Sequence, residues 1–322
     1  MYKGPHILRY QELLDKALHR AAKIARSGRT REQRERETTT ARIRSASDIL
    51  AKDLAAYVKG FPSLGRMHPF YRDLLPALLD VDRLKHAIGA ADWASTSILR
   101  VARDSVRGIG RAEPGEIPRR KRAAFGRITS LVNQIGPELE TLASAAATLR
   151  LIPAIDVTLP TIVVAGAPNV GKSALVRRLS SGKPLVAPYA FTTKELSVGH
   201  FDEDPIRYQV LDTPGLLDRP PEARNEIERK AAAALRHVAH VIVFLLDPTE
   251  TCGTTLEDQE SLLRRIREEF ADVPLLVIEN KGDLLSGASG RKRVSALTGA
   301  GIAGLAKVAT QTARKRAAAV SE

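Results

Sequence analysis

With 322 residues, 43% of them hydrophobic, the chain is long enough for two ordinary domains and too short for a large multidomain enzyme. No apolar run approaches the roughly 18 residues that cross a bilayer, and the opening "MYKGPHILRYQELLDK" has no apolar signal core, so a cytoplasmic protein without stable membrane association is expected. The single cysteine, Cys252, excludes an intramolecular disulfide, and the net charge of +13 is concentrated early: residues 1–150 carry 28 Lys/Arg against 16 Asp/Glu, the remainder 22 against 21.

The first half reads as helix. In "QELLDKALHRAAKIAR" Leu14, Leu18, Ala21 and Ala25 recur at helical spacing, while Lys16, Arg20 and Lys23 step along another face. A second helix places Ile43, Ala46, Leu50, Leu54 and Tyr57 on one side and stops at Gly60 and Pro62. Between them "RTREQRERETTT" mixes both charge signs and reads as a solvated helix or a linker. A third segment runs from about Pro69 to Val106 with a bend expected near Gly89, and a fourth from "PRRKRAAFGRITSLV" to about Leu151. Four or so helices in this length imply an all-α bundle, residues 1–157. Its positive charge would attract a polyanion, and the candidate phosphate contacts are Lys16, Arg20, Lys23, Arg119, Arg120, Lys121, Arg122 and Arg127.

Past Pro153 and Pro160 the period changes. "TIVVAG", "RYQVLDT", "HVIVFLLD" and "PLLVIEN" read as buried strands, and "EARNEIERKAAAALRHV" and "LEDQESLLRRIREEF" as helices between them. That alternation predicts an α/β domain over 158–322, a mostly parallel sheet with helices on both faces.

Three motifs fall at carboxyl ends of these strands. After the first comes Gly166-Ala167-Pro168-Asn169-Val170-Gly171-Lys172-Ser173, the G-x-x-x-x-G-K-S phosphate loop with a strand before it and a helix after it. Its glycines let backbone N–H groups curl around phosphate oxygens, Lys172 would reach the β- and γ-phosphates, and the Ser173 hydroxyl would ligate magnesium. Asp212-Thr213-Pro214-Gly215 ends another strand, with Asp212 placed to hold magnesium through water and Gly215 to offer an N–H to the γ-phosphate. Leu216 follows, where Ras-like proteins carry the glutamine that orients the attacking water. Asn280-Lys281-Gly282-Asp283 fits the N-K-x-D base reader. Asp283 can accept from the N1 and N2 donors of guanine, whereas adenine would leave the carboxylate unpaired. Ser295-Ala296 resembles the element whose backbone supports the base, although with only 11 residues between Asp283 and Ser295 the helix usual at that place is expected to be missing or reduced to a turn.

The Pro168-Asn169 phosphate loop, "PYAFTT" and "DTPGL" together resemble the Obg superfamily, and "DTPGLLDRP" followed by "FLLDPTETCGTTLEDQ" is similar to the Nog family of nucleolar GTP-binding proteins and their short archaeal relatives. The resemblance spans the core from about Thr161 to Leu305 and agrees with the N-terminal region in size and character. It implies a P-loop GTPase that acts in large ribosomal subunit assembly through ribosomal RNA and ribosomal proteins, and Leu216 in the glutamine position leads to an expectation of slow intrinsic turnover. It also implies that Thr193, with Thr192 adjacent, completes the magnesium shell, so that Lys172, Thr193 and Gly215 carry the phosphate chemistry. In similar GTPases an asparagine at the Asn169 position can help hold a potassium ion; the other reading is that Asn169 only shapes the loop. Two further roles compete with subunit assembly: a translation or stress regulator of Obg or developmentally regulated type, and a nucleotide-loaded RNA adaptor with little hydrolysis.

Overall fold

The computed structural model describes residues 4–150, 152, 155–188, 195–203, 205–287 and 289–321. They divide into two compact units, one of Tyr2–Ser63 with Leu79–Arg150, the other of Leu64–Leu78 with Leu151–Glu322. Helices α1 (Tyr10–Ala22), α2 (Arg31–Gly60), α3 (Pro69–Leu74), α4 (Val81–Gly110), α5 (Ile117–Gln134) and α6 (Gly136–Arg150) occupy the first half, and all but α3 belong to the first unit.

The bundle follows the apolar periodicity except at the end of α1, where Leu18 is only half-buried and Ala25 lies exposed beyond the last helical residue. Leu13, Leu14, Ala17 and Ala21 of α1 are buried, with Ile43, Ala46, Leu50, Leu54 and Tyr57 of α2 and Leu84, Ala87, Ala91, Ala94 and Ile98 of α4. The mixed-charge stretch "REQRERETTT" is the opening of α2, started by Thr30, whose hydroxyl accepts from the Gln33 N–H at 3.1 Å. Within the same stretch Arg36 donates to the carbonyls of Gly110 and Ala112, both at 2.7 Å, which places a cation at the negative end of α4.

Two expected helices are divided. The segment from Pro69 does not bend at Gly89, which lies inside α4; it breaks at residues 75–80. There Pro76 lies in a 3₁₀ turn, Leu75–Ala77, and the Asp80 carboxylate caps α4 by accepting from Asp82 and Arg83 N–H groups. The segment to Leu151 is α5 followed by α6. Between them Gly136 lies against Tyr10, whose ring carbon would be 3.2 Å from any added Cβ.

The second unit is built on a seven-stranded sheet: β1 (Thr161–Ala165), β2 (Leu185–Pro188), β3 (Glu195–Glu203), β4 (Ile206–Asp212), β5 (Ala239–Leu246), β6 (Leu275–Glu279) and β7 (Lys292–Arg293). The order is β2-β3-β4-β1-β5-β6-β7, parallel from β4 through β7 and antiparallel at β2-β3-β4. This is the expected fold class, a mostly parallel α/β sheet after a helical domain. Its helices are α7 (Lys172–Leu179), α8 (Glu226–Leu235), α9 (Leu256–Glu269) and α10 (Ile302–Ser321). The short helix α3 packs with α8, where Asp73 meets His237 at 2.7 Å, and the adjacent Tyr71 hydroxyl donates to the Ile155 carbonyl at 2.7 Å. Burial, with the Asp156 charge adding to it, pushes the Tyr71 phenol up to about 12.

The three motif-bearing strands β1, β4 and β6 deliver their carboxyl ends to one edge of the sheet. β1 lies between β4 and β5, so the order reverses at the strand that feeds the phosphate loop, the position where open α/β sheets bind ligands.

Candidate nucleotide-binding site

The loop after β1 has backbone that only particular residues adopt. Gly166 has φ 138° and Gly171 φ 102°, and a Cβ would lie 2.5 Å from the Leu245 carbonyl oxygen at the first and 2.3 Å from the Asn280 amide nitrogen at the second. Asn169, at φ 59°, takes the left-handed conformation that asparagine tolerates better than most residues, and it is exposed with Pro168. Ala167 and Val170 are buried and anchor the loop. The Lys172 ammonium is folded over it, donating to the carbonyls of Gly166 at 2.9 Å and Ala167 at 2.8 Å.

Ser173, in the first turn of α7, donates its hydroxyl to the Asp212 carboxylate. Asp212 is brought there by the parallel pairing of β4 with β1, which sets Val164 beside it. A hydroxyl and a carboxylate side by side at the phosphate loop are hard oxygen donors, a set that fits a magnesium ion. Thr192 and Thr193 lie outside the described residues.

The Asp212–Gly215 turn is clamped at its glycine. Gly215 has φ 84°; its N–H donates to the Asp218 carboxylate at 2.9 Å, and its carbonyl accepts from Arg219 at 3.2 Å. Arg219 also reaches Glu228 at 2.6 Å, and Glu228 forms a reciprocal capping box with Asn225 at the start of α8. Thr213 is buried, and its carbonyl accepts from the Leu216 N–H at 3.2 Å. Leu216 and Leu217 are fully buried, so the residue in the glutamine position is part of the core. Sequence reasoning did not find Asp218 or Arg219; "DRP" was visible only as a family marker.

On the other side of α7, Asn280 ties three segments together. Its amide donates to the Val170 carbonyl at 2.7 Å and accepts from the Ala296 N–H at 3.0 Å. Ser295 caps its own turn, accepting from the Thr298 N–H at 3.0 Å, and Arg178 of α7 donates to the carbonyls of Ala296 and Leu297. Ser295-Ala296 is thus held against the N-K-x-D segment through the Asn280 side chain. The missing helix is replaced by a 3₁₀ turn, Gly282–Leu284, and the two-residue strand β7. Asp283 is exposed and lines a cavity of about 490 Å³ with Gly171, Lys281, Leu284 and Leu297. Leu284 and Leu297 are 62% and 75% exposed, two large apolar side chains at an open cleft suited to a flat ring. Neither they nor Arg178 carried a signal in the motif spacing.

The basic candidates of the first unit are differently placed. Lys16 is half-buried and bonded to Asp53 at 2.5 Å, while Arg119 and Arg120 share Glu116 at 3.5 and 2.9 Å. Arg20, Lys23, Arg122 and Arg127 are exposed, and Lys121 is intermediate.

Residues 5–156 match the family model described as NOG1 N-terminal helical domain, and residues 226–283 the one described as Nucleolar GTP-binding protein 1 (NOG1). An uncharacterized protein of Methanocaldococcus jannaschii is 36% identical over 288 residues, covering 88% of this chain and 81% of that protein. The chain belongs to the NOG1 family. Nucleolar GTP-binding protein 1 of Saccharomyces cerevisiae is 38% identical over 229 residues, 71% of this chain and 35% of its own length; the Encephalitozoon cuniculi protein is 37% identical over 257 residues, 80% and 48%. This NOG1-family chain thus spans less than half of those two relatives. A crystal structure of a putative nucleolar GTP-binding protein 1 from Plasmodium falciparum is 34% identical, with TM-score 0.46, covering 52% of this chain and 93% of that one.

Proposed function

We propose that this chain is a guanine-nucleotide switch that binds GTP and GDP with magnesium, hydrolyses GTP slowly and acts on precursors of the large ribosomal subunit. The observation that carries the nucleotide part is the union of the phosphate loop with the N-K-x-D segment through Asn280, which joins Val170 to Ala296 and leaves Asp283 on the adjoining cavity.

In this reading the loop N–H groups and the α7 N-terminus hold the phosphates. Lys172 gives up its carbonyl partners to neutralise charge on the β- and γ-phosphates. Ser173 and Asp212, with Thr193, would hold the magnesium ion, which would supply neutralisation of phosphate charge. The γ-phosphate competes with Asp218 for the Gly215 N–H, so GTP and GDP make different demands on the turn and, through Arg219 and Glu228, on α8. Leu216 cannot reach a water from the core, so water is positioned by backbone, by a partner, or by a potassium ion beside Asn169. GTP turnover in equal potassium and sodium tests that last option, and equal rates remove it.

The ribosomal part is supported by family membership and by the basic helical unit. Phosphate contacts from Arg119 to Arg122, Arg127 and the Arg20/Lys23 face give salt-sensitive affinity without base readout. A cytoplasmic setting for that role is part of the same proposal. Two measurements test the reading. Asp283→Asn shifts binding preference from guanosine toward xanthosine diphosphate, and unchanged preference for GDP discards the base-reader assignment. In sucrose gradients of cell extract the protein migrates with free large subunits; migration with membranes or with tRNA alone discards the assembly role.

A further inference from the structure

The segment Asp247–Gly253, "DPTETCG", is needed by no step of the proposed chemistry, yet it is densely hydrogen-bonded. Asp247, at the end of β5, is fully buried. One carboxylate oxygen accepts from the Thr249 N–H at 3.0 Å and its hydroxyl at 2.5 Å; the other accepts from the Cys252 N–H at 2.9 Å, the Thr251 hydroxyl at 3.2 Å and the Lys281 ammonium at 2.7 Å. The Thr251 hydroxyl lies 2.7 Å from the same ammonium. From α9, Gln259 closes the loop, accepting from the Asp247 N–H at 2.7 Å and donating to the Asp247 and Thr254 carbonyls at 3.1 and 2.9 Å. Burial alone would raise the Asp247 carboxyl, but the bonds from Lys281 and Thr249 hold it below its ordinary value.

Four of the five donors belong to the loop and would suffice to satisfy the carboxylate. The fifth comes from Lys281, the second residue of the base reader, 34 residues away in sequence. Lys281 has left-handed backbone, φ 56°, and lines the same cavity as Asp283, with its ammonium drawn to the loop. We infer that Asp247 and Thr251 are positioning residues for guanine-nucleotide recognition, holding the Lys281 side chain taut along one wall of the base cleft. The inference rests on the nucleotide reading above and adds to it the element that sets base affinity. A lysine stem fixed before the ligand arrives loses little rotamer freedom on binding, so the cleft is preorganised for the face of a purine ring. The same arrangement explains why a carboxylate is buried there: its charge is matched by that ammonium and its lone pairs by the loop.

A double-mutant cycle on the full chain tests this, reading release of a fluorescent GDP and competition by unlabelled GDP and by inorganic triphosphate, which reports the phosphate loop alone. Asp247→Asn accelerates GDP release on the order of tenfold, the cost of one mobile long side chain, and Thr251→Val acts in the same direction more weakly. Lys281→Met has an effect like that of Asp247→Asn, and adding either loop substitution to it changes little. Inorganic triphosphate affinity stays at the wild-type value throughout. Additive effects in the cycle, unchanged release in Asp247→Asn, or parallel loss of triphosphate and GDP affinity would overturn the inference. If Asp247→Asn does not fold, Thr251→Val, which keeps the carboxylate, completes the cycle by itself. Failure of the wild-type chain to retain GDP would instead remove the nucleotide reading, a separate outcome.

Discussion

The two units use charge in opposite ways. In residues 1–150 positive charge exceeds negative by twelve, and Arg20, Lys23, Arg122 and Arg127 point into solvent. In residues 151–322 the balance is nearly even, and the charges that matter are pinned: Lys172 to two carbonyls, Lys281 to Asp247, and buried Arg224 to Glu269 by two bonds at 2.7 and 2.9 Å. A diffuse positive field suits a polymer of repeating phosphates met in many registers, whereas pinned charges suit one small ligand met in one pose. The difference teaches that the charge of the first unit would suit the polyanion proposed above, whereas in the second unit hydrogen-bond geometry marks out the candidate site.

The strongest challenge to that division is Lys172→Ala. It should reduce GTP affinity on the order of a hundredfold or more, since one cation in the phosphate cradle is lost, while binding of the isolated nucleic acid partner is preserved. Equilibrium titration with labelled GTP checks it; retained affinity would mean that the loop does not cradle phosphate.

That contrast also marks what the sequence disclosed. The phosphate loop was legible because its backbone demands glycine where Cβ atoms would strike Leu245 and Asn280, and such demands leave a fixed spacing. The four central strands were legible as apolar runs. The hairpin partner β3 was not: its buried Leu196 and Val198 are interrupted by half-buried Ser197 and followed by Gly199 and His200, and no motif marks it. Helix α3 read as part of the bundle because its partner α8 lies about 150 residues further on, beyond the range of any periodicity. The Asp247–Lys281 pair and the Arg178 contacts to Ala296 and Leu297 were hidden for the same reason, since tertiary hydrogen bonds leave no spacing rule in one chain.

Leu216 sharpens the comparison from inside the second unit. Leu216→Gln places an amide in a fully buried site, so it should cost about 1–3 kcal/mol of stability through an unsatisfied polar group and should not accelerate single-turnover hydrolysis. Denaturant unfolding and single-turnover rates measure the two effects. A faster rate at unchanged stability would show that the turn brings this residue to the phosphate.

The first unit is probed by replacing Lys121, Arg122 and Arg127 with glutamine. Three lost phosphate contacts flatten the slope of log affinity against log salt by about 2 to 3, with GDP binding unaltered. Lys16→Ala serves as the internal contrast, because its charge is matched by Asp53 and its loss should barely change the slope. Titrations against ribosomal RNA fragments at several salt concentrations give both values. Equal slopes for the triple variant and the wild type would move the polyanion surface elsewhere.

The smallest expected effect lies in the Gly215 turn. Asp218 is buried and takes the Gly215 N–H at 2.9 Å, the donor that a γ-phosphate would claim. In the proposed reading GDP would leave that bond in place, whereas GTP would have to exchange a charged acceptor for its own oxygen. Asp218→Asn keeps the shape and an acceptor oxygen but weakens the bond by the difference between a charge-assisted and a neutral hydrogen bond, about 1 kcal/mol. The weaker bond is easier to displace, so the ratio of GTP to GDP affinity should rise about fivefold, through tighter GTP binding with GDP affinity unchanged. Competition titrations with a non-hydrolysable GTP analogue and with GDP read that ratio. A ratio that stays constant, or one that changes through GDP alone, would show that Asp218 braces the turn in both nucleotide states and takes no part in telling them apart.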